Sequence, residues 1–264
     1  MDSITTAIEA IAAGRPVIVI DDADRENEGD LIVAAELITP ELVAFMMNQC
    51  RGLICVPMTP AAINRLNLHQ MTPHNTERMT TAFTVSVDAR SGVTTGISAA
   101  DRAHTIALLA DPTTDPHELV RPGHVFPLRA REGGVLQRAG HTEAAVDLAR
   151  LAGLAPAGVI CEIANPDGSM ARLPELLSFA SQHGFPIVAI ADLIRYRRRT
   201  ERQIERVTAA SMPLEAGLFT AVGYRNLLDG AEHVALVMGD IGAWNFAVGF
   251  GVMLLGLIMA VRWR

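Results

Sequence analysis

The sequence predicts a layered domain of α+β type over residues 1–205, followed by a region of different character. Three observations carry that prediction. Apolar runs of strand length alternate with amphipathic stretches of helical period. Most of those runs lack the apolar–polar alternation of a half-exposed strand, so they read as strands buried on both faces. The helical stretches begin on capping residues and several end on glycine.

Taken in order, MDSITTAIEAIAAG has Ile4, Ile8 and Ile11 on one helical face and closes on Gly14. It lacks the basic start and long apolar centre of an export signal, so a cytoplasmic location is expected. PVIVI (16–20) and DLIVAAE (30–36) read as strands. TPELVAFMMNQC reads as a helix with Thr39 as cap and Pro40 in its first turn. LICVP (53–57) is a buried strand, and AFTVSVD (82–88) is the one run with clean alternation. SAADRAHTIALLA opens on Ser98 and Asp101 in a capping-box pattern. The segment from Asp111 to Gly134 shows neither period over most of its length. TEAAVDLARLAG and PELLSFASQHG are helices ending on glycine, and GVICEI (158–163) and FPIVAI (185–190) are strands.

Composition narrows the function. The formal net charge is -7 and only 19% of residues are charged, which argues against nonspecific nucleic-acid binding. Cys50, Cys55 and Cys161 are odd in number and lack CxxC spacing, so neither a disulfide framework nor a zinc knuckle is expected. A reducing compartment fits them.

Four stretches carry candidate chemistry. DDADRENEGD (21–30) packs six carboxylates and one arginine into ten positions directly after a buried strand. Like charges that close repel unless water, Arg25 or a cation compensates them, so a solvated acidic turn competes with a metal site at a strand end. RAGHTEAA (138–145) sets Arg138, Ala139, Gly140, His141 and Thr142 at a helix entrance, where free N–H groups and the helix dipole favour an anion. A capped helix with an exposed histidine is the alternative. RPGHVFPLRAR places His124 beside a Pro-Gly turn, either as a working histidine or as an idle loop residue. Glu162 interrupts the apolar GVICEI, where a carboxylate must find a partner or shift its pKa upward.

Carboxylates with a histidine suit Mg2+ or Mn2+, a helix entrance with an arginine suits a phosphate, and a buried glutamate can move protons. Together they suit chemistry on a small phosphorylated sugar. DRENEGD, TAFTVSVDARSGVTTGISAADR, RPGHVFPLRAREGGVLQRAGHTEAAVDLARLAGL and GVICEIANPDGSMARLPELLSFASQHGFPIVAIADLIRYR resemble the 3,4-dihydroxy-2-butanone 4-phosphate synthase family of riboflavin biosynthesis. The resemblance covers residues 1–205 in order. It implies a mixed sheet flanked by helices and a lyase that converts D-ribulose 5-phosphate to L-3,4-dihydroxybutan-2-one 4-phosphate and formate. It also implies Mg2+ or Mn2+, two ions per site, and a homodimer with shared active sites. By the same resemblance Glu26 and His141 are metal ligands, Arg25, Glu26, Asp30, residues 138–142 and Glu162 hold substrate, and His124 and Glu162 transfer protons. Glu28 receives no firm role, and Asp21 and Asp22 are expected to be strand-end structure. A non-catalytic scaffold and a nucleotide-binding module of similar fold are the alternatives, the second resting on fold analogy alone.

After RYRRRTER the character changes. GLFTAVGYRNLLDGAEHVALVMGDI resembles the start of GTP cyclohydrolase II, so residues 206–242 are expected to be a remnant of that enzyme. Its zinc-binding cysteine cluster is missing, since no cysteine follows Cys161, and no cyclohydrolase activity is expected. Residues 243–264 form an apolar tail, AWNFAVGFGVMLLGLIMAV followed by Arg262 and Arg264, which is expected to be a helix and meets the length of a membrane span. Truncation or frameshift, a membrane anchor and a packing helix are the three explanations for it.

Overall fold

The computed structural model describes residues 1–239 and 259–262. It divides into two units, Met1–Arg197 and Arg198–Arg264.

In the first unit the expected caps act as expected. Helix α1 (Ile4–Ala12) starts at Ser3, whose hydroxyl accepts the Thr6 N–H. Strand β1 (Val17–Ile20) turns through the acidic loop into β2 (Gly29–Ala34), with Ile20 opposite Gly29. Helix α2 (Pro40–Phe45), capped by Thr39, widens into a π-helical turn over Met46–Cys50 and stops at Arg51 in the left-handed region. Strand β3 (Cys55–Met58), helix α3 (Pro60–Arg65), strand β4 (Val87–Ala89) and helix α4 (Ala99–Ala110) follow. Ser98 caps α4, but Asp101 does not close the box. Its carboxylate turns back to accept the Thr94 and Gly96 N–H groups and the Thr94 hydroxyl, holding down the loop before the helix.

Several elements depart from expectation. Of AFTVSVD (82–88), expected as a strand, only Val87 and Asp88 enter β4, with isolated bridges at Phe83 and Thr84, and α3 lies where no helix was expected. Strand β5 (Leu119–Arg129) runs through the segment that showed no period. Its pairing with β4 breaks between Val87↔Val125 and Asp88↔Val120, so Arg121–His124 bulge out and erase the alternation. Downstream, helix α5 (His141–Leu151), strand β6 (Gly158–Glu162) and helix α6 (Leu173–His183) lie where expected. Strand β7 is short (Ile187–Ala189), and the basic stretch after it is a helix, α7 (Ile190–Thr200).

The seven strands are ordered β4-β5-β3-β6-β2-β1-β7, with β1–β7 and β3–β5 parallel and the other neighbours antiparallel. Each face carries its own core. Ile18, Leu31, Val33, Val56 and Val159 meet Val43, Ile63, Ile106 and Leu176 from α2, α3, α4 and α6. On the other face Val17, Val19, Ile32, Cys55 and Ile160 meet α1, α5 and α7 through Ile11, Leu148 and Leu193. That double burial is why the strands read as continuous apolar runs.

Helix α5 is the most enclosed of these helices, with His141 through Ala149 all buried. It approaches the sheet at Gly158, where a Cβ would stand 2.7 Å from that of Ala145. Its far half is tied by Asp147, whose Oδ2 accepts the Val135 N–H at 2.9 Å and Arg197 Nη1 at 2.7 Å. Arg197 is 5% exposed and also donates to the Gly133 carbonyl.

The second unit is an antiparallel meander of β8 (Ile204–Leu214), β9 (Gly217–Asn226), β10 (Glu232–Met238) and β11 (Met259–Arg262), paired in that order. All of β8 is exposed. Most of the tail expected to be helical lies outside the described residues, and Met259–Arg262 pair as a strand instead. Among the described residues no helix is long and apolar enough to cross a membrane.

The Asp147–Arg197 pair generates a stability prediction. Asp147→Ala removes the buried carboxylate that both Arg197 and the Val135 N–H use, so unfolding in urea should show a loss of about 3–5 kcal/mol. A loss below about 1 kcal/mol would mean that the pair does not hold α5.

Candidate functional site

The site forms where the acidic loop, the ends of β2 and β6 and the start of α5 converge. Asp30 on β2 lies directly opposite Glu162 on β6. By strand alternation both project from the face that carries Ile32 and Ile160, the face α5 covers. The walls are Arg25, Glu26, Glu28, Asp30, Cys55, Thr81, Phe83, Leu128, Arg138, His141, Thr142, Ile160 and Glu162 around a cavity of about 130 Å³. Larger depressions of about 400 and 560 Å³ lie elsewhere, but their acidic residues, Glu175 and Glu132, are exposed. Chemistry, not size, picks out the smaller cavity.

Asp21 organises the loop. Its Oδ1 accepts the Glu28 N–H at 2.9 Å, and its Oδ2 accepts the Glu26 N–H and Arg25 Nη1, both at 3.0 Å. Asp21, Glu26 and His141 bring ligand-type atoms within 4.8 Å of one another; both Asp21 oxygens are committed to the loop's own donors, and Glu26 Oε2 also accepts from Arg25 Nη1 at 2.5 Å. Asp30 faces His141 beside this set. His141 Nε2 donates to the Val19 carbonyl at 3.1 Å, which turns Nδ1 toward the carboxylates. Nδ1 stands 3.6 Å from Glu26 Oε2 and 3.7 Å from Asp30 Oδ1. Both distances are too long for good hydrogen bonds. Each is short enough for His141 and that carboxylate to share an ion, because two ligands at about 2.1 Å from a hard cation stand no more than about 4.2 Å apart. Asp30 Oδ1 is buried without a hydrogen-bond partner. An orphaned carboxylate oxygen facing an acidic and an imidazole donor fits a divalent cation.

The wall sets four carboxylates, Glu26, Glu28, Asp30 and Glu162, against the guanidiniums of Arg25 and Arg138 and the His141 imidazole. Burial, reinforced by Glu162, Glu26 and Glu28, pushes Asp30 up to about 7. Burial and Glu26 also raise Glu28. Burial alone would lower His141, but Asp30, Glu26 and Asp21 outweigh it and hold the imidazole at about 9. Glu26, facing His141 and Arg25, falls to about 2. Burial raises the Cys55 thiol, with Glu162 and Asp30 adding to the effect, so it stays protonated.

Glu162 is half-buried, and its Oε2 accepts the Leu53 N–H at 2.8 Å. This partner answers the question its apolar neighbours raised. At the helix entrance Gly140 provides no side-chain cap, and Thr142 is buried. Ala139 and Gly140 shape the approach without lining the cavity. Arg138 is more committed than its position suggested: it donates to the Met79 carbonyl, to Thr81 Oγ1 and to Glu143 Oε2. The fully buried Glu143 also accepts the Arg131 N–H. Arg138 therefore both faces the cavity and clamps the Met79–Thr81 segment beside it. His124 is not among the wall residues; it lies in the β5 bulge. Sequence reasoning did not single out Thr81, Phe83 or Leu128, which come from separate segments whose convergence no local pattern announces. Cys55 was legible as a strand residue only.

Residues 5–196 match the family described as 3,4-dihydroxy-2-butanone 4-phosphate synthase, and residues 218–264 match one described as cell division protein CrgA. The riboflavin biosynthesis protein RibBA of Salinispora arenicola is 62% identical over 240 residues, which cover 91% of this chain and 57% of that one. RibBA of Aquifex aeolicus is 57% identical over 90% of this chain and 59% of its own length. The chain thus spans less than two thirds of the curated relatives it matches. Among solved structures, RibBX of A. baumannii, a two-domain 3,4-dihydroxy-2-butanone 4-phosphate synthase, superposes with a TM-score of 0.82 at 47% identity, covering 90% of this chain and 70% of that one. A 3,4-dihydroxy-2-butanone 4-phosphate synthase in complex with two magnesium ions gives 0.74 at 46% identity, over 76% of this chain and 99% of that one.

The charge balance predicts a pH dependence. Raised folded-state values mean that the folded chain binds protons the unfolded chain has released, so stability falls as pH rises. For Asp30 the window runs from about 4 to 7, and for His141 from about 6.5 to 9. Glu26 has the opposite sign, with stability gained from about pH 2 to 4.5. In the presence of a chelator, stability to urea should decline from pH 5 to 9, and Asp30→Asn should flatten the lower part of that decline. A rise over that range would contradict the charge assignment.

Proposed function

The chain belongs to the 3,4-dihydroxy-2-butanone 4-phosphate synthase family, and we propose that it converts D-ribulose 5-phosphate to L-3,4-dihydroxybutan-2-one 4-phosphate and formate with Mg2+ or Mn2+. The observation that carries this reading is the buried, unpartnered Asp30 Oδ1 facing Glu26 and His141, beside Glu162 and an uncapped helix entrance. Two ions per site are proposed, in keeping with the magnesium-bound relative. When bound, the cation supplies a Lewis acid that draws charge from a carbonyl and the hydroxyl next to it.

Glu26 and His141 would hold the metal, with the Val19 carbonyl fixing which imidazole nitrogen faces it. Arg25 would contact the sugar, and so would Asp30, whose unpartnered Oδ1 borders the space beside Glu26 and His141 where the cation would be held. The N–H groups at the start of α5, with Thr142 and Arg138, would hold the phosphate. The neighbouring Ala139 and Gly140 keep that approach free of bulk. Glu162, hydrogen-bonded but half-exposed, would take and return protons at the carbon chain. His124 would supply the second proton-transfer group. Because His124 lies apart from the cavity of its own chain, the reading assigns it to the site of a two-fold partner, in a homodimer with shared active sites.

Residues 206–242 are proposed to be a remnant of a GTP cyclohydrolase II start, without that activity, and residues 243–264 an apolar tail. The likeness to the cell-division family overlaps both. A cytoplasmic location and no nucleic-acid partner complete the proposal.

Incubation with ribulose 5-phosphate and Mg2+ should release formate, a chelator should abolish the release, and Mg2+ or Mn2+ should restore it. Glu162→Gln should bind substrate yet lose at least about 100-fold in kcat; unchanged turnover would remove Glu162 from the reaction. Sharing of sites has its own measurement. Mixed dimers of His124→Ala and Glu26→Ala chains should each hold one intact site, and random exchange makes about half of all dimers mixed, so roughly a quarter of wild-type activity should return. No recovery after exchange verified by mass would return His124 to its own chain's site.

A further inference from the structure

We infer that Asp88 is a positioning residue for His124, fixing the imidazole with its proton on Nδ1 and its Nε2 free to accept one. The inference rests on the reading above that His124 transfers protons. The β5 bulge leaves the Gly123 and His124 N–H groups off the regular ladder, and β4 with the residues before it provides for both. Ser86 Oγ accepts the Gly123 N–H at 3.1 Å, and Asp88 Oδ1 accepts the His124 N–H at 2.9 Å. The second Asp88 oxygen, Oδ2, meets His124 Nδ1 at 2.7 Å. One carboxylate therefore grips the main chain and the ring of the same residue.

Serving the bulge alone would need only one of those oxygens. The other sets the tautomer, because an ionised carboxylate only accepts hydrogen bonds and the ring nitrogen facing it must carry the hydrogen. The grip is also closed from above. Gly96 has φ +92, and a Cβ there would lie 2.2 Å from Asp88 Oδ2 and 2.7 Å from His124 Nδ1. The loop thus passes directly over the hydrogen bond. Meanwhile the His124 side chain remains 42% exposed and that of Asp88 only 10%. The buried end of the pair orients and the open end works, the same division of labour as in other carboxylate–imidazole pairs. In the step assigned to His124, Nε2 takes a proton from the substrate to give an imidazolium, and the Nδ1 proton stays against Asp88.

Asp88→Asn separates positioning from support. The asparagine keeps an oxygen for the His124 N–H, so the bulge survives. Its amide NH2 faces Nδ1 as a donor, so the ring must move its proton to Nε2 and lose its base. The expected results are a melting temperature close to wild type, kcat for formate release lowered by about 10²–10⁴-fold, and little change in KM. Nitrogen NMR of 15N-histidine-labelled chain should find the neutral His124 proton on Nδ1 in wild type and on Nε2 in Asp88→Asn. A wild-type ring protonated on Nε2 overturns the inference without any variant. His124→Ala measured alongside separates the failures. Full turnover there overturns the role of His124 and this inference with it; an inactive His124→Ala beside a fully active Asp88→Asn overturns the Asp88 inference alone.

Discussion

The contact on which the candidate site depends is the close approach of α5 to the sheet at Gly158. With no side chain there, Ala145 settles onto β6 and the helix packs near backbone distance. Tight packing of this kind leaves little freedom to slide, because interiors are as dense as molecular crystals. The first residue of the helix is consequently delivered to one place. His141 stands against the Val19 carbonyl, with Nδ1 over the space between Glu26 and Asp30. Asp147, two residues beyond Ala145, fixes the same helix from its other half.

Crowding carboxylates at the open end of that arrangement is costly, and the chain divides the cost unevenly. Asp21 is neutralised by Arg25 and saturated by main-chain donors, so it serves as the knot of the loop. Glu26 keeps partial exposure and two cationic neighbours. Asp30 is compensated least: it is buried, its Oδ1 makes no hydrogen bond, and burial outweighs the nearby His141 imidazole to raise its proton affinity. A protein that bound nothing here would gain by replacing Asp30 with an apolar residue to match Ile32 on the same strand face. Unpaired buried polar groups persist where function requires them.

Much of this was legible in the sequence, for identifiable reasons. Ser3, Thr39 and Ser98 announce helix starts through a local hydrogen bond, and the continuous apolar runs reflect a sheet covered on both faces. The acidic loop stood out because six carboxylates in ten residues are hard to accommodate otherwise. What escaped was non-local or masked. The β5 bulge destroys the period that reveals strands, yet it is the bulge that exposes His124. Helix α7 hid because its buried face includes Arg197, a residue that reads as solvated until Asp147 is seen across from it. The commitment of Arg138 to Thr81 and Glu143 needed three segments to meet before it could be recognised.

The Asp147–Arg197 pair also bears on how the chain can be cut. The family match ends at residue 196 and the contact boundary falls at Arg197, a difference of one residue. Dissection at the family boundary would discard the guanidinium and keep the carboxylate, leaving Asp147 without the strongest of its charged partners. Dissection one or more residues later keeps the lock closed. Homology would choose between these fragments arbitrarily, whereas the buried pair divides a viable module from one compromised in its core. Arg197 is thus the keystone of the first unit as well as its last residue.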